Sequence, residues 1–86
     1  MDWTVYILRC GDGTLYTGIT NDLDHRLAEH ESGHGAKYTK GRGPFQLVYQ
    51  ETSTGRGPAL RRESEIKSFN RKSKLMLLDS IVSAGR

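Results

Sequence analysis

Residues 3–20, WTVYILRCGDGTLYTGIT, constrain the fold more than any other part of the chain. Two runs of β-branched and aromatic residues flank Gly11-Asp12-Gly13, and glycines there can adopt the positive φ that tight hairpins need. In the first run Trp3, Val5 and Ile7 alternate with Tyr6 and Leu8, so both faces are apolar. That pattern predicts a central strand covered on both sides, with residues 14–20 returning antiparallel beside it.

The hairpin carries two tyrosines, Tyr6 and Tyr16, and the turn decides how they relate. Side chains alternate along a strand, so paired positions share a face. If Cys10 pairs with Thr14 across a three-residue turn, Tyr6 lies opposite Gly18, Tyr16 lies opposite Leu8, and both phenols stand on one face. A two-residue turn at Asp12-Gly13 would instead split them between the two faces. The residues alone leave both registers open.

Thr20 or Asn21 can cap a helix over 22–31, with Asp22 and Asp24 in its first turn, where the helix dipole favours negative charge. Leu23 and Leu27 supply its expected buried stripe. Arg26 and His30, four residues apart on a different row, project together. SGHGAKYTKGRGP at 32–44 is glycine-rich, basic and aperiodic, and reads as a loop.

Residues 46–51, QLVYQE, alternate as a third strand. Pro58 is expected to open a helix at its favoured first position, running to about Phe69. Ala59, Glu63 and Ile66 share one row of that helix, which puts a carboxylate among residues that should be buried. A last helix, roughly 72–83, would place Leu75, Leu78, Ile81 and Val82 on one face, with Met76 and Leu77 beside it. The order predicts an α/β chain in the broad α+β sense: a three-stranded antiparallel or mixed sheet with helices packed on it.

Eighty-six residues suffice for one domain, 1–86. The single cysteine, Cys10, excludes an internal disulfide and a Cys-rich zinc site and fits a reducing cytoplasm. No apolar run approaches the roughly 18 residues of a membrane span. The net charge of +3 favours an anionic partner only weakly, so its distribution matters more than its size.

Taken singly, each polar feature has an ordinary reading. Paired tyrosines are usual in small cores, Arg26 and His30 could form a solvated helix face, and Glu63 with Lys67 could be a surface ion pair. Together, two Tyr, one Arg, one His and one Glu from the hairpin and two helices suit phosphodiester hydrolysis. Arg can clamp a phosphate, a carboxylate can hold Mg²⁺, and a phenol or imidazole can take a proton from attacking water. Lys37, Lys40 and Arg42, interleaved with Tyr38, suit a phosphate backbone, with the ring free to stack on a base.

With VYI at 5–7, YTG at 16–18, then Asn21, Arg26 and His30, the chain resembles the GIY-YIG nuclease domain, in particular its small stand-alone bacterial members. GAKYTKGRGP at 35–44 and ALRRESEIKSF at 59–69 extend the resemblance over nearly the whole chain. It implies a GIY-YIG fold, a three-stranded mainly antiparallel sheet flanked by three helices, with both tyrosines on the active face. Tyr6 and Tyr16 match the two motif tyrosines, either of which could activate water; the reading favours Tyr6, oriented by His30. Arg26 matches the arginine that stabilises the scissile phosphate, Glu63 the single carboxylate that binds one Mg²⁺ or Mn²⁺, and Gly18 the glycine that keeps the backbone low beside the site. Val5 and Thr17 depart from the motif, and Ile19 stands where related excision-repair nucleases have a lysine, whose help would have to come from Lys37, Lys40 or Arg42.

The implied function is a metal-dependent endonuclease that nicks DNA with low sequence specificity, on single-stranded, branched or damaged substrates, in repair, recombination or DNA processing. RNA remains open as a substrate, and a protein partner could supply specificity. The competing readings are a non-catalytic nucleic-acid-binding module, a nuclease subunit that needs a partner protein, and an interaction domain that binds no nucleic acid.

Overall fold

The computed structural model describes residues 2–84, with side chains described as far as Leu78. Strands β1 (Trp3–Arg9) and β2 (Leu15–Thr20) are followed by helix α1 (Leu23–Glu31), a 3₁₀ turn at Lys37–Thr39, strand β3 (Gln46–Ser53), and helices α2 (Arg56–Lys67) and α3 (Arg71–Ala84). The sheet has the order β2-β1-β3, and both pairings are antiparallel. This is the expected α+β arrangement, with β1 at the centre.

The turn takes its three-residue form. Cys10 N–H donates to Thr14 O at 2.8 Å, Gly13 N–H donates to Cys10 O at 2.9 Å, and Gly13 has φ of +86°. The Asp12 carboxylate locks the corner by accepting from Thr14 N–H at 3.1 Å and Thr14 Oγ1 at 2.6 Å. Tyr6 therefore pairs with Gly18 and Leu8 with Tyr16.

Alternation on β1 then divides the molecule. Val5 and Ile7, both fully buried, join Tyr49, Ala59, Ile66 and Leu78 in a core beneath α2 and α3. Tyr6 and Leu8 face the other way and are equally buried. Burying an aliphatic side chain contributes about 1.5–3 kcal/mol, so a central strand with Val5, Ile7 and Leu8 enclosed anchors both layers.

The helices depart from the sequence reading in detail. Asp22, not Thr20 or Asn21, caps α1, its carboxylate accepting from His25 N–H at 3.2 Å. Thr20 is still strand; its hydroxyl accepts from Asp22 N–H at 3.0 Å and so holds the turn before the cap. Leu23 and Leu27 are only half-buried, and the buried residue of α1 is His30.

Helix α2 begins at Arg56, two residues before Pro58, and ends at Lys67 rather than Phe69. Proline is tolerated because the first-turn N–H groups have no partner in the helix; the first i to i−4 bond is Ala59 N–H to Gly55 O, at 3.2 Å. On α3, capped by the Asn70 side chain through Ser73 N–H at 2.8 Å, Leu78 is buried and Leu77 packs on the core. Leu75 and Met76 are exposed, and the side chains of Ile81 and Val82 lie outside the described residues.

Candidate active site

A hydrogen-bonded chain runs from the sheet through α1 into the basic loop. Tyr6 Oη lies 2.9 Å from His30 Nε2, and His30 Nδ1 lies 2.9 Å from Thr39 Oγ1. Thr39 spends its one hydroxyl proton on Ala36 O, also at 2.9 Å. Assigned from this network, the hydrogens follow by exhaustion: His30 Nδ1–H must donate to Thr39, so neutral Nε2 accepts from the Tyr6 phenol. All three side chains are buried, and Gly35 lies against the imidazole so closely that a methyl group would collide with it.

Burial drives His30 below its usual pKa, aided by the Arg26 charge and opposed by Glu29 and Glu31. The ring is thus held neutral in the fold. Burial also pushes Tyr6 up to about 12, with Tyr16 and Glu63 adding to the rise, while Arg26 opposes it through a hydrogen bond and its charge. For Arg26, burial acts downward, but its contacts with Tyr6, Glu29 and Tyr16 outweigh it and raise the pKa.

The second phenol stands in front of this chain. The Tyr16 ring lies 6.3 Å from Tyr6 and 5.3 Å from His30, and stacks on Tyr38 at 5.8 Å with 27° between planes. Tyr16 is half-buried and borders an open groove, whereas Tyr6 is wholly enclosed. Arg26, half-buried, pairs with Glu29 at 3.3 Å and lies close enough to Tyr6 and Tyr16 to interact electrostatically with both.

Glu63 arrives from α2, between the fully buried Ala59 and Ile66 of its row. Its side chain is 18% exposed, its charge reaches Tyr6, and Lys67 Nζ sits 3.4 Å from its carboxylate. It is therefore both a half-buried carboxylate in an otherwise buried row and the ion pair that the sequence suggested. Tyr6, Tyr16, His30 and Arg26 lie together, and Glu63 is near enough for its charge to act on Tyr6.

The basic loop behaves differently. Arg42 pairs with Asp12 across the hairpin turn, donates from Nε to Tyr38 O at 2.7 Å, and lies 4.7 Å from the Tyr38 ring centre. Tyr38, at 46% exposure, is stacked by Tyr16 and by Arg42 and still presents part of its ring to solvent. Lys37 and Lys40 are exposed. Thr39 and Gly35 escaped the sequence reading because nothing periodic marks the loop; only its long-range packing on His30 shows their place.

Gly18 has a steric reason to be glycine. A Cβ there would come within 2.6 Å of Tyr6 Oη, 2.8 Å of its Cζ and 3.0 Å of Tyr16 Cε2. Tyr6 is enclosed and cannot yield freely, so Gly18→Ala is expected to cost about 1–3 kcal/mol through overpacking. A denaturant melt reads this, and an unchanged midpoint would show that the two rings shift without strain.

Because His30 is neutral in the fold with a lowered pKa, the unfolded chain takes up a proton first as pH falls below about 6.5. Stability should therefore decline from about pH 6.5 downward and stop declining once folded His30 also protonates. Melting temperature against pH should flatten in that range for His30→Gln relative to the parent. Parallel profiles would show that His30 carries none of the dependence.

Tyr6, Tyr16, His30 and Arg26 thus form a polar cluster on a small antiparallel sheet, with Glu63 close by on α2. Residues 2–76 match the family described as "GIY-YIG catalytic domain", and the chain belongs to that family. Within it, the chain is 53% identical over 74 residues to the UPF0213 protein SERP0126 of Staphylococcus epidermidis, covering 86% of this chain and 90% of that one. The solution NMR structure of the UPF0213 protein BH0048 from Bacillus halodurans is similar, with a TM-score of 0.61 and 48% identity, covering 92% of this chain and 84% of that one. The NMR structure of protein EF2693 from E. faecalis has a TM-score of 0.66 at 35% identity, covering 94% and 86%.

Proposed function

We propose that this protein is a metal-dependent endonuclease that cleaves phosphodiester bonds in DNA by one-step, in-line attack of water, in the cytoplasm and in a repair or DNA-processing role. The observation that carries the reading is the clustering of Tyr16, Tyr6, His30 and Arg26, with the Glu63 charge within reach of Tyr6.

The resemblance leaves either tyrosine as the base and the sequence reading favours Tyr6, but a general base must reach the proton it removes. Tyr6 is 0% exposed and resists ionisation, whereas Tyr16 borders the groove. We therefore assign the water-activating role to Tyr16. Proton transfer concerted with attack needs no free phenolate. Tyr6 and His30 form the buried wall that fixes Arg26 and Tyr16, with Thr39 setting the imidazole tautomer. Arg26 offers a forked set of donors to the phosphate as charge grows in the transition state.

Among the described residues no group of three or more His, Cys, Asp or Glu could enclose a metal ion. One largely buried hard-oxygen carboxylate fits a Mg²⁺ or Mn²⁺ ion held mostly by water and substrate oxygens, and Glu63 would hold it. When bound, the ion supplies stabilisation of charge on the phosphate and the leaving oxygen. Lys67 would have to loosen its hold on Glu63.

The test is a panel of end-labelled single-stranded, duplex and branched DNA, with RNA of the same sequence, incubated with the protein and Mg²⁺. Cleavage of at least one DNA without a detergent-stable protein adduct is expected. Binding without cleavage of any substrate would leave the non-catalytic binding module as the reading.

A further inference from the structure

Beside the site lies a groove of about 270 Å³ lined by Leu15, Tyr16, Thr17, Tyr38, Lys67 and Lys74. We propose that it is a subsite for one nucleotide next to the scissile phosphate, with Lys67 and Lys74 on its phosphate and the Leu15, Tyr16 and Tyr38 wall against its sugar and base.

Position argues for this first. Tyr16 belongs both to the groove and to the catalytic face, and Lys67, which pairs with Glu63, lines the groove too. A strand whose phosphate sits at Arg26 and Glu63 must therefore pass this opening on one side.

Chemistry argues next. The walls combine two phenol rings and a leucine with two ammonium groups, a pairing that suits a flat base joined to an anion rather than a purely apolar ligand. Lys67 keeps 52% of its side chain exposed despite its ion pair, so it can also reach a phosphate.

A third observation is independent. Thr17 lines the groove and is 3% exposed, and its Oγ1 is buried with no hydrogen-bond partner. A buried hydroxyl without a partner is costly, and a ligand that enters the groove could relieve it.

The proposal rests on the nuclease reading for its geometry, but its test does not. Binding is read by fluorescence anisotropy in EDTA, where no metal is bound, using labelled 12-residue DNA and RNA strands and the matching DNA duplex over a range of salt. Lys74→Met is expected to weaken single-strand binding about fivefold and to lower the slope of log affinity against log salt by about 0.7, one phosphate contact. Lys72→Met, which removes an equal charge two residues away on α3 at a position that does not line the groove, is the control and should change binding much less. Thr17→Val should weaken binding while leaving the salt slope unchanged.

Equal losses from Lys72→Met and Lys74→Met would overturn the subsite in favour of diffuse charge, and so would unchanged binding by Lys74→Met. A loss confined to the DNA or the RNA strand identifies the sugar the groove accepts. If the parent never cuts but Lys74→Met still loses binding selectively, the subsite stands and the nuclease reading falls. If the parent cuts and Lys74→Met alters neither KM nor affinity, the reverse holds.

Discussion

Tyr16→Phe should reduce the single-turnover rate of strand cleavage by about 10²–10⁴-fold, the range that a positioned general base contributes. The ring would stay, with its stacking on Tyr38 and its edge contact with His30, so the fold should melt near the parent temperature. Only the hydroxyl beside the groove would be lost. Tyr6→Phe is the necessary companion. It leaves His30 Nε2 buried without its donor, and an unpaired buried acceptor costs about 1–3 kcal/mol of stability. Tyr6→Phe should thus lower the melting temperature more and the rate less than Tyr16→Phe. The opposite order of rates would return the base to Tyr6 and show that the site opens when substrate binds.

Glu63→Gln should lower the metal-supported rate by at least about 10²-fold, since charge stabilisation by a bound ion is worth several kcal/mol and each 1.36 kcal/mol is a factor of ten. The substitution keeps the shape but removes the negative charge that Lys67 and a divalent ion would share. Two readouts separate these consequences. Titration of Mn²⁺ by calorimetry in the presence of uncleaved strand should lose its heat in Glu63→Gln, which identifies the ligand. Strand affinity in EDTA should hold or improve slightly, because Lys67 is released from its partner and a negative charge leaves the groove mouth. A variant that still binds Mn²⁺ like the parent would place the ion elsewhere.

Much of this site could be read before the fold was known, for physical reasons that differ by residue. Helical spacing placed Arg26 with His30, and Glu63 in a buried row, because that geometry is local. The hairpin register was legible only as two alternatives, and it took the Cys10–Thr14 pairing and the Gly13 conformation to select one. The depth of each tyrosine was not legible at all. Both carry the same side chain on the same face, but Tyr6 sits on the central strand under His30 while Tyr16 sits on an edge strand.

Two further features depended on contacts distant in sequence. Tyr38, interleaved with cationic residues, reads as a ring that can stack on a base, and only the fold shows that Tyr16 and Arg42 also pack on it. For His30 the sequence allowed either a solvated face or a partner of Tyr6, and Thr39 and Gly35 from the Tyr38 loop close over it beside Tyr6. A helix cap one residue from its expected place and a proline two residues inside its helix changed neither outcome.

The measurement that bears most directly on the central claim is nicking of supercoiled plasmid and cleavage of a labelled single strand by the parent protein, stripped with EDTA and then titrated with Mg²⁺ or Mn²⁺. The account predicts no cutting in EDTA and a rate that rises with added metal to saturation, with nicked circles appearing before linear product because each molecule carries one site. Cutting that persists in EDTA, or protein that binds both DNAs and cuts neither at any metal concentration, would contradict it.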